Sequence, residues 1–90
     1  MMNKTYNAYK DAVIRFLNDY EETANNHIIE IMISVIMTRD GLLQGGSFVQ
    51  AVVDNDLRKA VSRADKECTA HLRVITLCAN KCYVEIEENV

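Results

Sequence analysis

Apolar side chains recur at Tyr6, Tyr9, Val13, Phe16, Leu17 and Tyr20, within about 100° of a helical wheel, while Asp11, Arg15, Asn18 and Glu22 fall opposite. This spacing predicts a first helix with one buried stripe. "ETANN" breaks the pattern, and Asn25 or Asn26 is placed to cap a second helix with Glu30 in its first turn, where a negative charge suits the helix dipole. Ile28, Ile29, Ile31, Met32, Ile33, Val35, Ile36 and Met37 wrap nearly all round that helix, so it is predicted to be central and buried, or to turn one face to another subunit.

The chain holds no proline and only three glycines, so "GLLQGGS" (residues 41–47) is its strongest punctuation. Ser47 is placed to cap a short helix on which Phe48, Ala51, Val52 and Asn55 share a face. Asn55 and Asp56 compete for backbone hydrogen bonds, which predicts a kink or a fresh cap at Asp56. From there Leu57, Val61, Ala64, Cys68, Leu72, Ile75, Ala79 and Cys82 recur at threes and fours, predicting one long helix of roughly 39 Å. Such a length exceeds what a small core needs and predicts packing against another copy. The expected fold is therefore all-α: a single helical domain over residues 1–90, a small bundle of three main helices with a short helix after the glycine-rich turn.

Composition supports this reading. At 90 residues and 49% hydrophobic the chain is too apolar for disorder, and its apolar runs fall far below the roughly 20 residues of a membrane span. The N-terminal "MMNKTYNAYKD" has no signal-peptide pattern, which predicts a cytoplasmic location where thiols stay reduced. The three cysteines, Cys68, Cys78 and Cys82, are then free and buried rather than a disulfide framework. Cys68, His71, Cys78 and Cys82 invite a zinc site, but on one helix Cys68 and Cys82 stand about 21 Å apart, too far to share an ion. The sequence thus predicts no metal and no cofactor. Cys68 and His71 at i, i+3 have the spacing of a nucleophile pair, yet nothing supplies an orienting third group or an oxyanion pocket, so no enzyme is predicted.

Two binding surfaces remain. Gly45, Gly46 and Ser47 place glycine amides ahead of a helix, an anion-attracting arrangement without the lysine or preceding strand of a nucleotide-hydrolysing loop. Basic residues crowd the predicted long helix: Lys59, Arg63, Lys66, Arg73 and Lys81 share one side, and Leu57 to Cys82 carries a local charge of +4 within a chain of net −3. Such a stripe can hold phosphates, although no aromatic residue interleaves it and the acidic tail residues Glu85, Glu87 and Glu88 can compete. Gln50, Arg58, Lys59, Arg63, Lys66 and Arg73 are the expected partner-facing residues.

The stretch "SFVQAVVDNDLRKAVSRAD", with Ser47-Phe48, Ala51-Val52, Asn55-Asp56-Leu57, Ala60 and Arg63-Ala64-Asp65, resembles a pattern in short, largely uncharacterised proteins of phages and other mobile elements. Such proteins often carry a proline ahead of the turn glycine and an aromatic C-terminal extension; here Gly45 stands in place of the proline and the sequence stops at Val90. The resemblance implies a phage or mobile-element setting in a host cytoplasm. It fits a non-catalytic, counter-defence type of accessory protein that blocks a host protein or sequesters a small signalling molecule, while the apolar second helix and the long helix predict that it is a homo-oligomer. An anion or nucleotide binder using the glycine turn, and a nucleic-acid-binding accessory using the basic stripe, are the alternatives.

Overall fold

A computed structural model describes residues 4–85, and the tail positions Glu87 and Glu88 lie outside that range. Among the described residues the regular structure is helical: α1 (Lys4–Asp19), α2 (Asn26–Arg39), α3 (Ser47–Val53), α4 (Leu57–Arg63), α5 (Lys66–Ala70) and α6 (Leu72–Lys81). The all-α expectation holds. No helix is long and apolar enough to cross a membrane among these residues.

The helix α2 is the hub, packed against α1, α3 and α6. Its Ile28, Met32, Val35 and Ile36 are fully buried and Ile33 is 2% exposed, so its all-round hydrophobicity is spent inside one chain. From α1 come Tyr9, Ala12, Val13, Phe16 and Leu17, whereas Tyr20 is largely exposed, and α6 adds Val74, Ile75 and Cys78.

Helix ends follow side-chain and backbone chemistry closely. Asn25, Asp56 and Asp65 each accept a hydrogen bond from the backbone amide three residues on, at 3.0, 3.1 and 2.7 Å, satisfying a donor the helix leaves unpaired. Ends of α1, α2 and α3 share one solution: Glu21, Gly41 and Asn55 adopt positive φ. In each, the next amide reaches back to a carbonyl of the last turn, as Glu22 does to Leu17, Leu42 to Met37 and Asp56 to Ala51.

Two expectations need correction. Ser47 does not cap α3: Gly46 is the cap residue, without a side-chain bond, and Ser47 is the first helical position. Nor is Leu57 to Cys82 one helix. Asp65 caps a new start after Ala64 turns extended (φ −75, ψ 140), and His71 bends the chain again (φ −112, ψ 17). Among the described residues the arrangement is six helices rather than three plus one, and the single long helix whose length suggested a second copy is absent. The seam is only half real: Cys68, Ile75 and Cys82 are buried, but Leu57 is 66% and Val61 47% exposed.

One polar network closes the bundle. Arg39, at the end of α2, donates to the carbonyls of Ala79 (3.0 Å) and Cys82 (2.9 Å) at the end of α6, where carbonyls lack helical partners. The same guanidinium grips Asp40 through Nε at 2.8 Å and Nη2 at 3.2 Å. Tyr9 on α1 donates to the second oxygen of Asp40 at 2.7 Å. Burial and this carboxylate push the Tyr9 phenol up to about 12. The hydrogen bond from Arg39 holds Asp40 below its ordinary range.

Candidate functional site

Within the glycine turn, Gly45 has a packing role. A Cβ on Gly45 would lie 2.8 Å from Val49 Cβ and 3.0 Å from Thr38 Oγ1, so this glycine lets α3 approach the end of α2. Gly46 faces open space and Ser47 is exposed. The Gly45 backbone is thus tied to a helix contact, and α3 is only seven residues long, which gives its N-terminus little dipole to offer an anion.

The basic residues do not share one helix. The breaks at Ala64–Asp65 and His71 divide Arg58, Lys59 and Arg63 on α4 from Lys66 on α5 and Arg73 and Lys81 on α6. Arg73 is engaged, pairing with Glu22 at 2.6 Å. Gln50 is half-buried and donates to Asp54 at 3.1 Å, so it is not an outward group without a task. Arg58, Lys59, Arg63 and Lys66 are exposed, and among the described residues their side chains form no hydrogen bond or ion pair.

What joins three of these cations is the helix that carries them. Ala60 is the one buried residue of α4, while Leu57 and Val61, one turn apart on the same face, point outward. Beside Leu57 runs an open groove of about 420 Å³ walled by Leu72, Thr76 and Leu77 of α6, with Arg73 and Asn80 at its margin. Its floor continues over Ala51, Val52 and Ala60 between α3, α4 and α6. The chain from Leu57 to Arg63 holds Arg58, Lys59 and Arg63 and no acidic residue. The result is an apolar trough beside a helix whose charged residues are all basic, and this surface escapes sequence reasoning because Leu57 and Val61 keep the phase of the buried seam.

A second grouping is likewise invisible along the chain. His27, near the start of α2, meets Asp65 and Cys68 from the start of α5, and their donor atoms all lie within 4.8 Å of one another. His27 Nε2 stands 3.7 Å from Asp65 Oδ2 and 3.7 Å from Glu67 Oε1. The trio has the residue types of a cysteine nucleophile with its base and orienter. Its electrostatics oppose that chemistry: burial, then the neighbouring Asp65 carboxylate, push the Cys68 thiol up to about 11, and Cys68 is 3% exposed. A protonated, covered sulfur is a poor attacking group. His71, the partner suggested by spacing, instead turns Nδ1 to the Glu67 carbonyl at 2.9 Å.

A third opening, of about 390 Å³, lies between α1 and the segment after α6. Arg15 and Lys81 there face Asp19 and Glu85, so it presents no net charge preference, and its edge meets the end of the described chain. Comparison of the chain with known protein families, with curated proteins and with solved structures finds no match.

Proposed function

We propose that this chain is a non-catalytic binding protein whose groove between α4 and α6 receives an acidic amphipathic helix of a partner protein. One observation carries the reading: α4 buries Ala60 alone and exposes Leu57 and Val61. Two large apolar side chains left in water on one face contribute nothing to the core, whereas desolvating them against a partner gains roughly 1.5–3 kcal/mol each. The positive charge of α4 as a whole biases the partner's charge. Arg58, Lys59 and Arg63, unpaired among the described residues, favour carboxylates and repel a basic segment. With the resemblance of residues 47–65 to phage and mobile-element proteins, the partner is a host protein and the activity is its inhibition.

The anion-binding alternative has less support, because Gly45 is committed to packing against Val49 and Thr38. Nucleic acid is also less favoured, since the cations sit on three separate helices without an aromatic platform. The groove reading is tested with Leu57→Asp/Val61→Asp. Both positions are exposed, so the thermal midpoint should stay within a few degrees of the wild type. Capture of a partner from host lysate should be lost, and Arg58→Glu/Arg63→Glu should weaken it most at low salt. An unchanged set of captured proteins in the double aspartate variant overturns the proposal. So does a wild-type dimer in sedimentation that the same variant dissolves, because the occupant is then a second copy.

A further inference from the structure

We propose that His27, Asp65 and Cys68, with Glu67 beside the imidazole, form a site for one divalent ion of the zinc class. The donors arrive from two helix starts far apart in sequence. His27 is the second residue of α2, whereas Asp65 caps α5 and Glu67 and Cys68 lie in its first turn. Their mutual spacing of at most 4.8 Å for the histidine, aspartate and cysteine donors compares with roughly 3.3–3.8 Å between the ligands of a tetrahedral ion bonded at about 2.0–2.3 Å. Closing the site asks each donor to move by about 1 Å or less. His27 and Asp65 are exposed and have the freedom to do so.

The supporting contacts are in place without an ion. Asp65 spends Oδ1 on the Cys68 amide and leaves Oδ2 at 3.7 Å from His27 Nε2. Glu67 is held the same way: Asn25 Nδ2 donates to its Oε2, leaving Oε1 at 3.7 Å from the same imidazole nitrogen. Each carboxylate thus has one oxygen fixed by a hydrogen bond and the other turned toward the histidine, the outer-shell orientation that metal sites depend on. A simple acidic cluster would not recruit an imidazole and a thiol. The mixed nitrogen, oxygen and sulfur donor set suits a borderline ion and argues against calcium or magnesium, which take oxygen ligands. On binding, a metal–sulfur bond forms and the Cys68 thiol proton passes to water. The ion would pin the start of α5 to the start of α2, across the break that interrupts the chain after α4.

The full chain, freed of metal by chelation, is titrated with cobalt(II). Binding should give a thiolate-to-cobalt charge-transfer band and tetrahedral visible bands that saturate at one equivalent and are displaced by zinc. Cys68→Ser should abolish the charge-transfer band, and His27→Gln, at an exposed position, should weaken binding by at least about 10-fold. Cys78→Ser/Cys82→Ser should leave both signals unchanged. Zinc should raise the thermal midpoint of the wild type and not that of His27→Gln. Absence of a charge-transfer band at millimolar cobalt overturns the proposal. A band lost in Cys78→Ser/Cys82→Ser but kept in His27→Gln overturns it equally, by placing the ion at the other thiols.

Discussion

Replacing Gly45 with alanine adds a single methyl group where the turn into α3 packs closely. The backbone at Gly45 is not left-handed, so alanine meets no conformational penalty there; the penalty is purely one of space. The new Cβ would sit 2.8 Å from Val49 Cβ and 3.0 Å from Thr38 Oγ1. A rotamer change can withdraw the Val49 methyl groups, but its Cβ is fixed to the α3 backbone, so the turn that leads into α3 must open. Overpacking of this kind costs about 1–3 kcal/mol, and the stiffer unfolded chain returns about 0.4–1 kcal/mol. The net loss is about 1–2 kcal/mol, or roughly 4–15 °C in thermal midpoint for a domain of this size. Gly46→Asp, one residue on, should do the reverse. Nothing lies within 4 Å of its Cβ position, and the side chain would supply the acceptor that the α3 cap lacks, for a gain of about 0.5–1 kcal/mol. Urea unfolding followed by circular dichroism reads both. A Gly45→Ala variant as stable as the wild type would refute the packing account and return the turn to the anion-binding reading.

Two further outcomes follow from the network at the base of the bundle. Arg39→Met should cost about 2–3 kcal/mol, since two charge-assisted bonds to the end of α6 are lost and Asp40 is left without its cation; Arg39→Lys should recover less than half, because an ammonium cannot span Asp40 and two carbonyls, and full recovery in urea unfolding would count against the forked geometry. Stability should be flat between about pH 4 and pH 10 as far as these groups are concerned: Asp40, held below its ordinary 3.8, contributes above that value and loses its contribution as pH falls through the folded value. Tyr9, raised from 10.0 to about 12, contributes fully below pH 10 and is lost as pH rises toward 12, so Asp40→Asn should shallow the acid limb of the urea midpoint against pH, and an unaltered acid limb would show that Asp40 is not responsible.

Much of the first half of the chain was legible along its length. The stripe of α1, the cap at Asn25 and the central burial of α2 all rest on local signals, namely helical spacing, a side-chain acceptor before an apolar run, and apolar residues on every face. The second half misled for a physical reason. Hydrophobic spacing of threes and fours persists across Ala64–Asp65 and His71, and periodicity reports phase rather than continuity. Asp65, an N-cap residue with Glu67 in the following turn, was the overlooked stop-and-start signal. Ser47 failed differently: Gly46 already has the extended backbone of a cap position, so the serine enters the helix instead. The meeting of His27 with Asp65, Glu67 and Cys68 has no counterpart in the linear pattern, because only the packing of α5 beside the start of α2 creates it. The groove was hidden for a simpler reason: on a helix of two turns, one small buried residue, Ala60, can outrank two larger ones in deciding which face turns inward.

That choice of face separates two kinds of selection on α4. Most helices of so small a protein cannot change without disturbing the core, so their surfaces and their stability evolve together. With Ala60 alone committed to the interior, Leu57, Arg58, Lys59, Val61, Ser62 and Arg63 are free to vary at little cost to folding. A lineage in contest with a changing partner could rewrite this helix repeatedly while the other five stay fixed. Libraries randomised at those six positions should therefore retain folded members at high frequency.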